Sequence, residues 1–464
     1  MNSITPEQAR CRQSTARRHL TVAFVMSVVV VLVAIYGLTG GFVPTNSVLS
    51  SASLNQPISP DAMVVDASTR HIFVATAALY TSSPSMRNLP RSRLNIFDTR
   101  TGALQRVRAF GTGLAVLALD ERAGRVFLAD GSVTRRNGGT MYALDATTGD
   151  ARRSVPISMA PTAIGMDPLT NRLFVAGEGA RVCTQKRCSA HPPVVQIFDA
   201  QALHLLRTTP IGPFPQRVIV DAGSGRIFVT GARGVDILDA TTGLAIAAVP
   251  NVLDILAIDQ RTHRVFAMDA RGRVRMFNDM DGRPLGMVRF RGMPPFGEGN
   301  PAATDDVTGN VLILDSGRRT LGGPLVRPGG VGIVDGTDGH IVRTIRLGRI
   351  GTSPSAIVVD PAGQHAFIAD MFANTVIILD TRQGRVQRAI PVGSAPKYLA
   401  LDGRTGHLAV EEIGAPSFNS KQPDAWAWIP PALRSVLPFV PHQRPSAPTM
   451  LPSASVTVLD PIHH

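Results

Sequence analysis

An apolar strand closed by aspartate recurs eight times along this chain, and a unit repeating at such spacing restricts the fold more than length does. The copies read MVVD, LALD, IGMD, VIVD, LAID, AATD, IVVD and LALD, ending at Asp66, Asp120, Asp167, Asp221, Asp259, Asp305, Asp360 and Asp402. Successive aspartates lie 38 to 55 residues apart. A second apolar strand starts about six residues after each (HIFVAT, RVFLAD, RLFVAG, RIFVTG, RVFAMD, NVLILD, HAFIAD, HLAVEE), across a short turn that often holds glycine. That is the grammar of a β-hairpin. A third strand ends at Asp98, Asp145, Asp199, Asp239, Asn278, Asp335, Asp380 and Asp460, and in six of these eight copies glycine follows four positions later. Glycine there suits a tight turn into a fourth strand. Each unit is therefore a four-stranded antiparallel meander, which cannot bury its faces alone and must stack on its neighbours around an axis.

The expected fold is all-β: a propeller of about eight four-stranded blades, or seven if the divergent sixth unit is irregular. The eighth unit has only four residues after Asp460, so its outer strand is missing. Proline stands six residues before the first aspartate in five units, at Pro60, Pro161, Pro215, Pro354 and Pro396. Counting back from Pro60 in the same register lands on LSSASL, residues 49–54. That segment supplies the missing strand, pairing the two ends of the chain and removing an exposed edge.

The best copies, IVVDPAGQHAFIADMFANTVIILDTRQGRVQRAIPVG and IGMDPLTNRLFVAG, resemble the YVTN-type β-propeller repeat family, which is similar in turn to the quinoprotein amine dehydrogenase heavy-chain fold. The likeness covers about residues 47–464 and is specific for fold, not for function. The family motif has Asn at the end of the second strand. Here Asp130, Asp269, Asp315, Asp370 and Glu412 stand in that place, with Thr76, Gly177 and Gly231 in the other copies.

Ahead of the repeats, residues 20–38 form an apolar run that as a helix would reach about 28 Å, near the thickness of a bilayer core. Arg10, Arg12, Arg17 and Arg18 precede it against one acid, Glu7, which places residues 1–19 in the cytoplasm and everything after the run outside. Residues 39–46 read as a linker. The expectation is a single-pass bacterial plasma-membrane protein with an extracytoplasmic propeller over 47–464; the alternative is a secreted domain released by cleavage near Ser51-Ala52-Ser53. Cys183 and Cys188, five apart in CTQKRC, then stand where disulfides persist, and a local bridge is expected. Zinc lacks ligands nearby, since His191 alone is close, and haem attachment lacks a histidine after Cys188, where Ser189 stands. The formal charge of +13 is almost all arginine. It attracts anionic lipids, wall polymers or acidic partners, or reflects codon bias. Nucleic acid is not expected for an exported domain without an aromatic-rich basic groove.

In a meander the first-to-second and third-to-fourth turns share one face, and the second-to-third loops share the other with the links between blades. All large insertions fall in the second set, at 77–93, 178–193, 316–330 and 411–453, so that face is the candidate binding site. Two readings fit the carboxylates Asp269, Asp315, Asp370 and Glu412, which end second strands in consecutive units: a site for a cation or amine, or loop capping. The first-strand aspartates, with a basic residue five positions on in seven copies, read as turn caps with local ion pairs. The insertion over 411–454 holds both tryptophans, Trp426 and Trp428, among prolines, which reads as a partner contact or as a self-packed flap. No HExxH, GxSxG or Walker motif occurs, and no catalytic residue, metal or cofactor is predicted. The leading functional expectation is a binding or scaffolding module for a protein, glycan or envelope polymer. The resemblance implies the alternative, a lactonase-like hydrolase or a quinoprotein-type oxidoreductase subunit.

Overall fold

The second strand of each unit explains why the units stack. In His71–Thr76 every residue is buried, with Phe73 and Ala75 packed toward the following unit and Ile72 and Val74 toward the preceding one. A strand buried on both sides must be apolar at successive positions, which is why these segments read as continuous hydrophobic runs rather than alternations. In six of eight units the third residue of this strand is phenylalanine, and Phe73, Phe127, Phe174, Phe228, Phe266 and Phe367 are fully buried. Each such ring contributes about 1.5–3 kcal/mol through burial.

A computed structural model describes residues 48–53, 60–76, 92–111, 114–131, 138–179, 181–183, 188–290, 292, 294–295, 299–319, 325–348, 352–360, 362, 364–413 and 455–461. They form eight four-stranded antiparallel sheets, and eight apolar clusters, each drawing on two consecutive sheets, close the ring. Blade 1, for example, runs Pro60–Asp66, His71–Thr76, Arg93–Asp98 and Leu104–Ala109 from axis to rim. The sixth unit is as regular as the rest, with Ala302–Asp305, Asn310–Asp315, Gly330–Asp335 and Ile341–Arg346 in order, so the count is eight.

The ring closes as expected. Val48–Ser53 pairs antiparallel with Ser455–Leu459 and becomes the outer strand of blade 8, one residue earlier than the sequence register suggested. The second strand of that blade is Leu408–Glu412, so Glu411 and Glu412 belong to the sheet and not to the insertion that follows. The chain divides after Ser47, and the membrane segment expected over 20–38 lies outside the described residues. Among the described residues no helix is long and apolar enough to cross a membrane.

Turn chemistry follows from the repeated aspartates. Each of the eight first-strand carboxylates accepts a backbone N–H two or three residues on, at 2.8–3.1 Å. This is the Asx capping expected for such a turn. The basic residues five positions on do something else. His71, Arg125, Arg172 and His407 donate to the carbonyls of Ala146, Ala200, Ala240 and Thr99, each in the third-to-fourth turn of the next blade, at 2.7–3.1 Å. Among the described residues only Arg125 and His365 come within ion-pairing distance of their own aspartate, at 2.8 and 3.7 Å. Four of the seven basic residues thus clamp one blade to the next, and Arg125 does so while also pairing with its own aspartate. The glycine after the third strand serves the same interface: Gly149 has φ of 70°, and a Cβ there would lie 2.3 Å from Ile96 Cδ1 of the preceding blade.

The outer strands carry nine arginines and no carboxylate. Charged edge strands resist pairing with other chains, and some of these arginines also reach across to the next blade: Arg106 donates to the Thr147 carbonyl at 3.1 Å and Arg108 to Asp150 at 2.9 Å.

Candidate functional site

Asp269, Asp315, Asp370 and Glu412, which end second strands in consecutive units, are held by four separate sets of partners. All four are buried. Asp269 accepts the backbone N–H groups of Arg271 and Arg273 and the Arg273 side chain at 2.8 Å. Burial pushes its acidity down, but the Arg273 guanidinium and these two amides outweigh it and hold the carboxyl below the usual range. Asp315 receives a two-pronged bond from Arg327 at the far end of its own loop and the Gly317 N–H at 3.1 Å. Bonding to that carboxylate raises the Arg327 guanidinium pKa.

Asp370 and Glu412 reach outside their loops. Asp370 Oδ1 accepts from Ser353 N at 3.0 Å, in the link from blade 6, as well as from Phe372 and Ala373 N. Desolvation dominates, and the Asp370 carboxyl lies above the usual range. Glu412 accepts from Gly393 N at 2.7 Å, in the link from blade 7, and from the Ser455 hydroxyl. Asp130 follows the same rule, since a Cβ at Gly111, in the link from blade 1, would overlap its carboxylate. These residues therefore fasten loops and links on the insertion-rich face. The capping reading fits them; a shared cation or amine site is not something these contacts assemble.

Other features of this face were invisible in the spacing. Phe214, in the link between blades 3 and 4, has φ of 55° and is 65% exposed, with its N–H bonded to Glu178 at 2.7 Å. A bulky residue in the left-handed region is uncommon, and this one presents its ring to solvent. Nearer the axis, Arg217 on the inner strand of blade 4 pairs with Asp254 on that of blade 5 at 2.9 Å. Burial raises the Asp254 pKa more than Arg217 lowers it. The link into blade 6 bridges the inner strands of later blades: a Cβ on Gly299 would lie 2.7 Å from the Ser355 carbonyl oxygen and 3.2 Å from that of Lys397. No repeat pattern marks Phe214 or Gly299, because links lie between the repeated elements, and the repeat does not specify Arg217 or Asp254 within their inner strands.

Cys183 and Cys188 face each other in register across a small hairpin, Arg181–Cys183 with Cys188–Ala190, inside the blade 3 insertion. Their side chains, together with Trp426 and Trp428, lie outside what is described. Among the described residues one group of three potential metal ligands comes together, Asp335, Asp338 and His340. It sits on an exposed third-to-fourth turn, away from the insertion-rich face.

No protein-family model matches the chain. The C-terminal WD40 domain of Sif2 superposes with a TM-score of 0.57 at 10% identity, over 90% of this chain and 99% of that one. The chain shares the propeller fold. A europium-containing methanol dehydrogenase is similar at a TM-score of 0.54 and 14% identity over 89% and 92% of the two chains, and BamB from Moraxella catarrhalis at 0.51 and 15% over 79% and 96%. In sequence the propeller is 20% identical over 333 residues to the uncharacterized protein YncE of Salmonella typhi, spanning 68% of this chain and 88% of that protein.

Proposed function

We propose that the propeller is a binding and scaffolding module, tethered outside the plasma membrane by residues 20–38, and that its insertion-rich face receives a protein or envelope polymer. The observation that carries this reading is the asymmetry of the two faces. One is built from short turns closed by the same carboxylate cap in all eight blades. The other carries the additional hairpins of blades 3 and 6 and the exposed ring of Phe214, and there Glu412 and Ser455, the strand ends of blade 8 that flank its long insertion, pair in register. Variable loops on a rigid frame are where recognition concentrates. The enzymatic alternative asks Asp269, Asp315, Asp370 and Glu412 to act free of the bonds just described.

The test is cross-linking mass spectrometry on native membranes, comparing the intact chain with one in which residues 414–452 are replaced by a short turn. Glu412 and Ser455 are direct register partners, so a turn can join the strands without disturbing the sheet. A defined partner linked to the insertion-rich face and lost with the deletion is the expected result. The same absence of partner in both samples would overturn the proposal and direct attention to turnover of small molecules.

A further inference from the structure

A groove of about 760 Å³ lies on the outer part of blade 5, where its strands meet the insertion-rich face. Its lining includes Arg271, Arg273 and Arg275 together with Asn251, Asp269 and Met287. The groove exists because the outer strand of this blade, Pro284–Met287, has only four residues. Gly286 within that strand sits at φ of 143°, and a Cβ there would meet only Met276 Cε at 3.6 Å, so the space beside it stays open. Arginines at 271, 273 and 275 recur at every second position through the turn and into Val274–Asn278.

The charge in this groove is unbalanced. Asp269 is its single acid, and that carboxylate is buried and already paired with Arg273 at 2.7 Å. One guanidinium is thereby neutralised and two remain. Arg275 donates one N–H to the Pro250 carbonyl at 3.3 Å, which fixes its position while leaving other donors of the fork directed elsewhere. Arg271 is exposed, and it is the backbone N–H of Arg271, not its side chain, that bonds Asp269 at 2.9 Å.

We infer that this groove binds a phosphate group. A tetrahedral anion presents acceptors in several directions and can take hydrogen bonds from guanidinium groups on more than one side, whereas a carboxylate offers two oxygens in a single plane. Asn251 adds a neutral polar group at the rim, and the exposed Met287 gives an apolar wall for whatever carries the phosphate. The inference deepens the binding reading by giving one part of the same face a ligand chemistry, and it rests on that reading only for its biological setting.

The test uses the purified full-length chain in detergent. Inorganic phosphate is titrated by calorimetry into the wild type, into the double variant Arg271→Gln/Arg275→Gln, and into Arg271→Lys/Arg275→Lys. Separately, vesicles of phosphatidylcholine with one quarter phosphatidylglycerol are tested by co-flotation. Binding in the wild type that falls about tenfold or more in the glutamine variant, with the lysine variant between the two, is the expected result. Unchanged melting temperatures will separate this from misfolding. If free phosphate binds and flotation does not depend on the arginines, the source is a soluble phosphate; if flotation depends on them too, it is a lipid headgroup. Wild-type binding that is undetectable in both assays, or equal in the glutamine variant, overturns the inference. Neither result touches the partner cross-links of the intact membrane, so the two proposals fail separately.

Discussion

Asp370 carries three backbone donors on one carboxylate oxygen and, among the described residues, no partner on the other, which is buried. Its pKa is raised, chiefly by desolvation. A carboxyl that holds its proton more tightly when folded supports the fold fully at acid pH. That support is lost as the pH rises from the ordinary value of 3.8 through the raised folded value. Asp370→Asn keeps the oxygen that accepts from Ser353 and removes the buried charge. It should melt about 1–2 °C above the wild type at pH 7, with the gap shrinking toward pH 4 in calorimetric scans; a variant that melts lower at pH 7 would reverse the argument. The place of Asp370 at the end of a second strand was legible in the sequence, because the repeat numbers every position within it. Its bond to the Ser353 amide was not, since that depends on how the preceding link folds back over the sheet.

At the scale of single elements, strands and short turns were readable because each combines an apolar run with a fixed capping residue. Elements inside the insertions were not: Arg181–Cys183 and Cys188–Ala190 are three residues each and too short to show a period. Their register nonetheless sharpens one expectation. Cys183 stands directly opposite Cys188, and Cβ atoms of opposed residues in an antiparallel pair lie about 4.5–5.5 Å apart, within easy reach of the closer spacing a disulfide requires. Trypsin cuts at Lys186 and Arg187, between the two cysteines. A bridged hairpin should therefore yield both cysteine peptides as one linked species that splits on reduction. Complete alkylation of both thiols without reductant would rule the bridge out.

The whole molecule has one seam, where the ends of the chain meet. There, among the described residues, Ala409 stands where six other blades place phenylalanine, with Ile72, Val74, Phe97, Val456 and Val458 packed around it. Glu411, fully buried, lies on the neighbouring stretch of the same strand. The eighth unit announced this seam in the sequence by lacking a fourth strand; the packing of Ile72 and Val74 against Val456 and Val458 appears only in the structure. Deleting residues 48–53 leaves Ser455–Leu459 with an open edge. The truncated chain should melt several degrees lower and self-associate in sedimentation runs at rising concentration. A monodisperse chain with the wild-type melting temperature would show that the strand does not hold the ring. This same pairing orders events during synthesis. Val48–Ser53 leaves the ribosome about 400 residues before its partner does, so at about 5–20 residues per second it waits roughly 20–80 s for the strand it must find. For that interval every newborn molecule exposes a β-strand without its mate, and whatever shields it from the wrong neighbour helps decide how much of the protein ever becomes a ring.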